Sequence, residues 1–424
     1  MKTFKIISLG CKVNSYECAS LAAMLIERGY FECKDQNPDV VIINTCSVTS
    51  TADQKSRQHI RKMINNYPNA IVVAMGCYVQ GNKDFVLNVI KPAILVGTSN
   101  RDKIPDLINQ YTINHEQICL VDEDPRHFDY EEMGVTSFTD NIRAYLKIQD
   151  GCDNFCSYCL IPYRRGRLRS RNKDNIIKEA QYLIDQRYEE IVLTGIHVGG
   201  YGTDLSTYHF SDLVDDLSGL NNLHSLRISS IEESEIDDHL IRLVSERNNI
   251  AKHLHIPLQS GNDKTLLAMN RKYTVKQFKE KLDQIRKLTN NIMISTDVIV
   301  GFPDESDEDF LKTYEFIKNS GINMLHVFPF SPREGTVAYS LDHQVPSNIK
   351  SQRAKQLIDL SNELWEKYVD QFIGQEMEIL VEKYSDGLNI GHTTNYIKLG
   401  VPSNTSLVGK RIKTIVEKSK VLPN

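Results

Sequence analysis

The chain has 424 residues, of which 41% are hydrophobic and 25% charged, with a formal net charge of −5 at pH 7. This composition is typical of a globular protein of two or three domains, and no apolar stretch approaches the roughly 20 residues that span a bilayer. The negative charge gives no global attraction to nucleic acid, so any such binding must come from local patches. The N-terminus lacks the apolar segment of a signal peptide, and nine cysteines, an odd number, indicate thiolate ligands in a reducing, cytoplasmic compartment.

Residues 1–120 predict a doubly wound parallel sheet, because apolar strands alternate with amphipathic helices. Strands are predicted at residues 4–9, 39–44 and 70–74. Helices are predicted from a cap at Asn14 or Ser15 to about Arg28, and at about residues 51–65.

Three cysteines of this region, Cys11, Cys46 and Cys77, each follow the end of a predicted strand. Because parallel strands all end at the same edge of a sheet, where such folds bind ligands, the three thiols are expected to meet. They could hold an iron–sulfur cluster with one open iron. On position alone, three buried cysteines acting as small hydrophobic residues explain the pattern equally well.

Residues 121–140 are polar and acidic and include Pro125 and Gly134. This composition predicts an interdomain linker.

A second set of cysteines, Cys152, Cys156 and Cys159, lies on one short loop after a predicted strand. Three thiolates on one loop can hold three irons of a cubane cluster and leave the fourth open. Zinc prefers four protein ligands, or three and a water, with cysteines in Cys-x2-Cys pairs. The spacing therefore favours iron–sulfur over zinc, and over three unrelated core thiols.

This loop, with Tyr158 before its last cysteine, resembles the Cys-x3-Cys-x-aromatic-Cys signature of the radical S-adenosylmethionine (SAM) superfamily. The resemblance implies a [4Fe-4S] cluster whose open iron is chelated by the amino and carboxylate groups of SAM. It also implies that an electron from this cluster cleaves SAM to methionine and a 5′-deoxyadenosyl radical.

Residues 141–372 predict six strand–helix repeats, and hence a partial TIM-type (βα)6 barrel with its chemistry at the C-terminal strand ends. The predicted strands are 144–148, 190–193, 225–228, 253–256, 292–300 and 324–328. The predicted helices are 173–187, 210–218, 236–247, 274–289, 306–319 and 347–370.

Small and polar residues follow these strands, although ordinary turn chemistry explains each of them singly. By the superfamily resemblance, the second strand end contacts the SAM amino group, the fourth the ribose and the fifth the adenine. The corresponding residues are Thr194 and Gly195, Gln259 and Ser260, and Val300 and Gly301. His197, Glu232 and His255 are expected to support the site rather than to contact substrate.

Five arginines, Arg164, Arg165, Arg167, Arg169 and Arg171, crowd the segment after the cysteine loop. Their density predicts an anion-binding surface for RNA phosphates or a cofactor carboxylate, with a solvated basic face as the alternative.

Residues 373–424 predict a small β-barrel from strands at 376–381, 394–399 and 410–416. The basic residues here are Lys410, Arg411, Lys413, Lys418 and Lys420. The segment resembles the RNA-binding TRAM module, although a domain this small could simply brace the barrel.

The whole chain resembles the radical SAM methylthiotransferases, which have these three domains in this order. Residues 9–17, 44–46 and 76–77 match the family pattern. The resemblance implies an auxiliary [4Fe-4S] cluster on Cys11, Cys46 and Cys77 whose open iron carries the inserted sulfur, and two SAM molecules per reaction. It also implies an electron donor such as flavodoxin.

The sequence Gly-Cys-Lys-Val-Asn at 10–14 is most similar to the branch that acts on threonylcarbamoyladenosine 37 in the tRNA anticodon loop. The alternatives are isopentenyladenosine 37 and an aspartate of a ribosomal protein. The competing class is a non-catalytic RNA-binding protein whose cysteines hold structural zinc.

Overall fold

The computed structural model describes residues 2–33, 37–134, 142–289 and 291–423. The strands are β1 (Thr3–Ser8), β2 (Phe31–Glu32), β3 (Val40–Thr45), β4 (Ile71–Gly76), β5 (Ile94–Val96), β6 (Ile118–Leu120), β7 (Arg143–Lys147), β8 (Gln149–Asp150), β9 (Arg169–Ser170), β10 (Glu190–Thr194), β11 (Leu226–Ile228), β12 (His253–His255), β13 (Met293–Val300), β14 (Met324–Pro329), β15 (Glu376–Ser385), β16 (Leu388–Thr393), β17 (Lys398–Pro402) and β18 (Arg411–Ile415).

The helices are α1 (Lys12–Glu27), α2 (Ser50–Asn66), α3 (Cys77–Gly81), α4 (Lys83–Phe85), α5 (Ile104–Asn114), α6 (Ile161–Arg165), α7 (Lys173–Asp185), α8 (Phe210–Ser218), α9 (Asp238–Glu246), α10 (Asp263–Ala268), α11 (Val275–Leu288), α12 (Asp307–Ser320) and α13 (Ser347–Asp370). Short 3-10 turns and one π-helical turn (Val86–Ile90) connect them.

The N-terminal sheet has the order β2-β1-β3-β4-β5-β6, and all its pairs are parallel. Its centre is β3, an apolar, β-branched run that is buried along its whole length, as expected for a strand covered on both faces. Helices α1 and α5 pack on one face, and α2 and α3 pack on the other. The predicted doubly wound parallel sheet is therefore confirmed.

The ends of the three long strands of this sheet agree with the predicted ones to within two residues, but β2, β5 and β6 were not predicted. These strands have two or three residues each, too few for a periodic pattern to identify. The predicted cap of α1 was also wrong, since the helix begins at Lys12 with Cys11 as its N-cap. Asn14 instead donates its side-chain amide to the Leu9 carbonyl at 2.6 Å and to the Thr45 carbonyl at 3.2 Å.

Two three-stranded parallel sheets form the central region, with orders β7-β10-β11 and β12-β13-β14. A parallel bridge between Ser230 and His255 joins β11 to β12, so the six strands follow one another in an arc. All six predicted strands and all six predicted helices of this region are present, with ends that differ by at most a few residues. The main core lies between this arc and its outer helices.

The C-terminal region is a four-stranded antiparallel sheet, β17-β16-β15-β18. The strand predicted at 394–399 begins later than predicted, at Lys398, because Asn395 and Tyr396 lie in the turn between β16 and β17. Tyr396 has a left-handed φ of 69° and stacks on His253 at 4.4 Å, so its aromatic ring serves a contact with the central region and not a strand. Strand β16 was not predicted.

The predicted linker, residues 121–140, is held by ion pairs and hydrogen bonds over its described part, and residues 135–140 lie outside the described residues. Glu131 pairs with Arg101 at 2.6 Å, and Glu132 pairs with Arg171. Ser99 donates to Asp122 at 2.7 Å. Glu131 and Glu132 are thus counter-charges for arginines on other segments of the chain. In the segments that the structure describes, no helix combines the length and apolarity needed to cross a bilayer.

Candidate active site

The loop that carries Cys152, Cys156 and Cys159 follows β8, and its cysteines interact electrostatically with one another. Phe155 adopts a left-handed φ of 47°, which turns the chain between the first two cysteines. Ser157 fixes the loop to α10, since its hydroxyl donates to the Ala268 carbonyl at 2.8 Å. We call Cys152, Cys156 and Cys159 the loop triplet.

Each thiol of the loop triplet has a donor beside it. Arg271 Nη1 donates to Cys156 Sγ at 3.3 Å, and the Ile161 amide donates to Cys159 Sγ at 3.4 Å. His197 interacts with Cys152 and pairs through Nε2 with Glu235, while its buried Nδ1 has no other hydrogen-bond partner among the described residues. Donors to sulfur stabilise thiolates and tune iron–sulfur clusters. The arrangement fits a [4Fe-4S] cluster on this loop.

The other three cysteines, Cys11, Cys46 and Cys77, follow β1, β3 and β4 directly or by a short turn; we call them the strand triplet. Cys11 and Cys46 flank the point between β1 and β3 where the strand order reverses, which is the usual ligand site of such sheets, and Cys77 follows the next strand, β4. Cys11 interacts electrostatically with both of the others. The predicted meeting of the three residues at one sheet edge is therefore observed.

Glycines bring the strand triplet together. Gly10 has a φ of +102°, and a Cβ there would lie 2.6 Å from both Cβ and Sγ of Cys46. Gly76 has a φ of +97°, and a Cβ there would collide with the Asn44 side chain. The two Gly-Cys dipeptides thus combine a left-handed turn with a close approach that only glycine permits.

In the described ranges, no three His, Cys, Asp or Glu side chains are set to hold a single metal ion. A cubane cluster requires a wider arrangement, because each cysteine binds a different iron. Burial raises the pKa of Cys77 to about 11 and that of Cys159 to about 12. These thiols are therefore protonated in the free protein, and binding iron would release their protons.

A buried ionic network joins the two triplets, with Arg165 at its centre. Arg165 donates Nε to Cys77 Sγ at 3.3 Å and Nη1 to Glu17 at 2.8 Å and to Asp150 at 3.2 Å. Arg101 and Lys147 complete the network around the same two carboxylates. These cations outweigh the effect of burial and hold the pKa of Glu17 and of Asp150 well below the usual range.

The network corrects the prediction for the Arg164–Arg171 segment. Arg165, Arg169 and Arg171 are only 0%, 9% and 2% exposed, and each pairs with carboxylates. Arg164 is half-buried, and Arg167 alone of the five is exposed. Three of the five guanidinium groups are therefore paired inside the protein and do not form a solvent-facing basic surface. Arg165 connects the N-terminal sheet with the cysteine loop, whereas Arg169 and Arg171 pair with Asp150 and with Glu179.

Arg333 forms a second connection between the central region and the N-terminal sheet. Arg333, after β14, donates to the Ser47 carbonyl at 3.1 Å and to Asp53 at 2.7 Å, beside Cys46. The C-terminal ends of the N-terminal strands therefore face the C-terminal ends of the central strands.

The inner side of the central arc is polar. Along β7, Ala144 and Leu146 pack in the core under the outer helices, so the alternate residues face the opposite side, which we call the lumen. His255 lies here and pairs with Asp297 at 3.2 Å. The supporting roles predicted for His197 and Glu232 agree with their contacts, since Glu232 pairs with Arg271. Arg271 was not predicted as a site residue, because no sequence motif marks it.

The residues predicted to contact SAM lie at the strand ends around the cysteine loop. Tyr158 packs against the buried cluster of Phe302 and Phe330, next to Val300 and Gly301. Thr194 ends β10, and Gly195 lies close to the Gln149 side chain. Gln259 has a left-handed φ of 65° and is hydrogen-bonded on both sides to β13. The Ser260 hydroxyl is 3.2 Å from the Thr313 hydroxyl of α12, and its backbone amide donates to the Leu258 carbonyl at 2.8 Å.

Comparison with known proteins supports this description. The Radical SAM superfamily model matches residues 146–317, and the model described as Uncharacterized protein family UPF0004 matches residues 3–97. The chain is 42% identical over 427 residues to threonylcarbamoyladenosine tRNA methylthiotransferase MtaB of Bacillus subtilis, covering 99% of this chain and 94% of that protein. This chain belongs to the radical SAM methylthiotransferase family.

A relative named for a different nucleoside is less similar. A tRNA-2-methylthio-N(6)-dimethylallyladenosine synthase of Acetivibrio thermocellus is 32% identical, over 98% of this chain and 89% of that protein. Among solved structures, the radical SAM methyltransferase TsrM of Kitasatospora setae matches with a TM-score of 0.61 and 12% identity, over 80% of this chain and 77% of that one, which shows a shared fold. Membership implies SAM and a [4Fe-4S] cluster for this methylthiotransferase.

Proposed function

We propose that this methylthiotransferase converts N6-threonylcarbamoyladenosine at position 37 of tRNA to its 2-methylthio derivative, using two SAM molecules and two [4Fe-4S] clusters. The observation that carries the proposal is that the two cysteine triplets lie at facing strand ends, which Arg165 and Arg333 hold together. The 42% identity to a relative named for this activity supports the choice of substrate.

We assign one cluster to each triplet. The bound clusters and SAM supply radical chemistry, which is needed because C2 of adenine offers no acidic proton and no leaving group. The protein's own residues orient these groups: Arg271 and His197 hold the loop triplet, and Arg165 donates to Cys77 in the strand triplet. The arginine network and Arg333 hold the C-terminal ends of the N-terminal strands opposite the C-terminal ends of the central strands.

We further propose that SAM lies over the loop triplet, within reach of Tyr158, Thr194, Gly195, Gln259, Ser260, Val300 and Gly301. The positive φ of Gln259 and Gly301 supports this, since such turns let the backbone approach a ligand closely. An electron donor such as flavodoxin remains part of the proposal.

The domain division is also proposed: an N-terminal domain (1–120), a linker (121–140), a partial TIM barrel (141–372) and a TRAM-type domain (373–424). The antiparallel sheet of the last region is compatible with an RNA-binding β-barrel. Most of its predicted basic residues have acidic partners: Arg411 pairs with Glu189 and Glu378, Lys413 with Glu376, Lys418 with Asp370 and Lys420 with Glu417. The anticodon loop is recognised chiefly by an unpaired base inserted into the lumen.

The test is nucleoside analysis of tRNA by mass spectrometry after reaction with anaerobically reconstituted enzyme. We expect 2-methylthio-N6-threonylcarbamoyladenosine from tRNA that carries the threonylcarbamoyl group. Product only from tRNA that carries dimethylallyladenosine would assign the chain to the other branch of the family. Product from neither tRNA, with both clusters present, would overturn the proposal.

A further inference from the structure

Lys12, the residue after Cys11, reaches into the lumen. Its ammonium group interacts electrostatically with inward-facing residues on five of the six central strands, β7, β10, β11, β12 and β14. These residues are Arg143, Glu190, Arg227, His253 and His326. A point close to all five strands can lie only on the concave side of the arc. The N-terminal domain thus inserts one cation into the cavity of the central domain.

This cation lacks a counter-charge. Lys12 is solvent-accessible although protein atoms surround it, and it forms no ion pair with any residue of the described ranges. The other charges nearby are already paired: Arg143 and Arg227 share Glu190, and Asp297 pairs with His255. The space in front of Lys12 is therefore electropositive and open.

The stability of the fold does not account for this lysine. It is the first residue of α1, where a positive side chain opposes the helix macrodipole. Arg227 and Arg143 add two further positive charges on the same side of the arc. An anionic ligand would remove this cost.

We infer that Lys12 binds the carboxylate of the threonylcarbamoyl group and so selects this nucleoside. The inference rests on the proposed function. Of the two N6 substituents that relatives of this chain are named for, the threonylcarbamoyl group carries a carboxylate and the dimethylallyl group is uncharged. An anion held by Lys12 lies beside Cys11, and hence beside the cluster proposed for the strand triplet.

The test measures binding of the reconstituted holoenzyme to two synthetic anticodon stem–loop RNAs, one with the threonylcarbamoyl acid and one with its methyl ester. A charge-assisted hydrogen bond predicts that wild type binds the acid about ten- to a hundredfold more tightly. In Lys12→Met this preference should disappear through weaker binding of the acid. Lys12→Arg should retain most of it, and Lys62→Met, an exposed lysine on α2, should match wild type.

Several results would overturn the inference. Equal affinity of wild type for acid and ester would do so without any variant. If Lys12→Met weakened the binding of both RNAs equally, Lys12 would contact a backbone phosphate and not the threonylcarbamoyl carboxylate. Weaker SAM binding with an unchanged acid-to-ester ratio would place the SAM carboxylate there. Iron content is checked in every variant, and Lys12→Gln replaces Lys12→Met if the latter loses iron.

The measurements distinguish an error in the proposed function from an error in the role of Lys12. If wild-type enzyme prefers the acid but forms no methylthio product, the binding site stands and the proposed reaction does not. If the product forms and Lys12→Met retains the acid preference, the reaction stands and the role of Lys12 is wrong.

Discussion

The two cysteine triplets are built in different ways. The loop triplet comes from a single turn between β8 and α6, and its donors are a backbone amide and side chains of the central strand ends. The strand triplet comes from three βα units and is held by Gly10, Gly76 and the buried Arg165 network. A local conformation is enough for the first triplet, whereas the second depends on the N-terminal sheet and on its packing against the central domain.

Arg165 is the residue through which the strand triplet depends on the central domain. It follows the loop triplet in sequence, yet it donates to Cys77 of the strand triplet and to Glu17 of α1. The two triplets therefore use different cysteines as ligands, but the same buried arginine network stabilises both of them. Variants that remove one triplet, or its support, test that separation.

The largest expected effect follows from removing either triplet. Wild-type protein should bind about eight irons after anaerobic reconstitution, as two cubane clusters require. Cys152→Ala/Cys156→Ala/Cys159→Ala and Cys11→Ala/Cys46→Ala/Cys77→Ala should each retain about four and lose all activity, as measured by iron and sulfide analysis. About four irons in wild type and none in the loop variant would contradict a cluster at the strand triplet.

Removal of the shared support should affect the whole protein. Arg165→Met leaves Glu17 and Asp150 short of a buried counter-charge, and we expect a loss of about 3 kcal/mol in the free energy of unfolding. Urea titration of the apoprotein measures it. The matched control is Arg167→Met, because Arg167 lies two residues away and is 56% exposed in its side chain, and it should cost less than about 1 kcal/mol. Equal effects would show that the network does not hold the domains together.

A smaller change should damage only the strand triplet. Gly10→Ala places a Cβ against Cys46 at 2.6 Å, so we expect it to lose about half the iron, that of one of two cubanes, while the loop triplet keeps its cluster. Gly29→Ala is the control: Gly29 has a φ of +82° but nothing within 4 Å of the added carbon. Both variants should lose about 1 kcal/mol of stability from the left-handed backbone, and Gly29→Ala should keep its iron.

The mildest change should tune the loop triplet alone. Arg271→Met removes the donor to Cys156, so we expect a more negative reduction potential for that cluster and about tenfold lower activity. A redox titration followed by electron paramagnetic resonance measures the potential. Arg271→Lys should recover part of the shift. A variant with unchanged potential would show that the hydrogen bond to sulfur has no electronic role.

Sequence patterns predicted the long elements because their periodicity is local. The six central strands and helices, the three long N-terminal strands and both cysteine triplets could be predicted in this way. The short strands β2, β5 and β6 could not, and neither could the Tyr396 turn, whose conformation is set by stacking on His253, far away in sequence.

The arginine segment illustrates the limit most clearly. Five closely spaced arginines predict a solvent-facing basic surface as long as their partners are unknown. Glu17, Glu132 and Asp150 are the partners of three of these arginines, and all three carboxylates lie outside residues 164–171. The charge density was correctly identified, but the side of the protein to which it points was not.

The sequence by itself determined the chemistry: the loop triplet, the three strand-end cysteines and the order of the regions follow from spacing and local pattern. Only the tertiary structure decided which charges are buried, which glycines let Cys46 and Cys77 approach, and that Lys12 enters the lumen of another domain. The physical reason is that ligand type and periodicity are properties of neighbouring residues. Counter-charge and burial are properties of residues that meet only after folding.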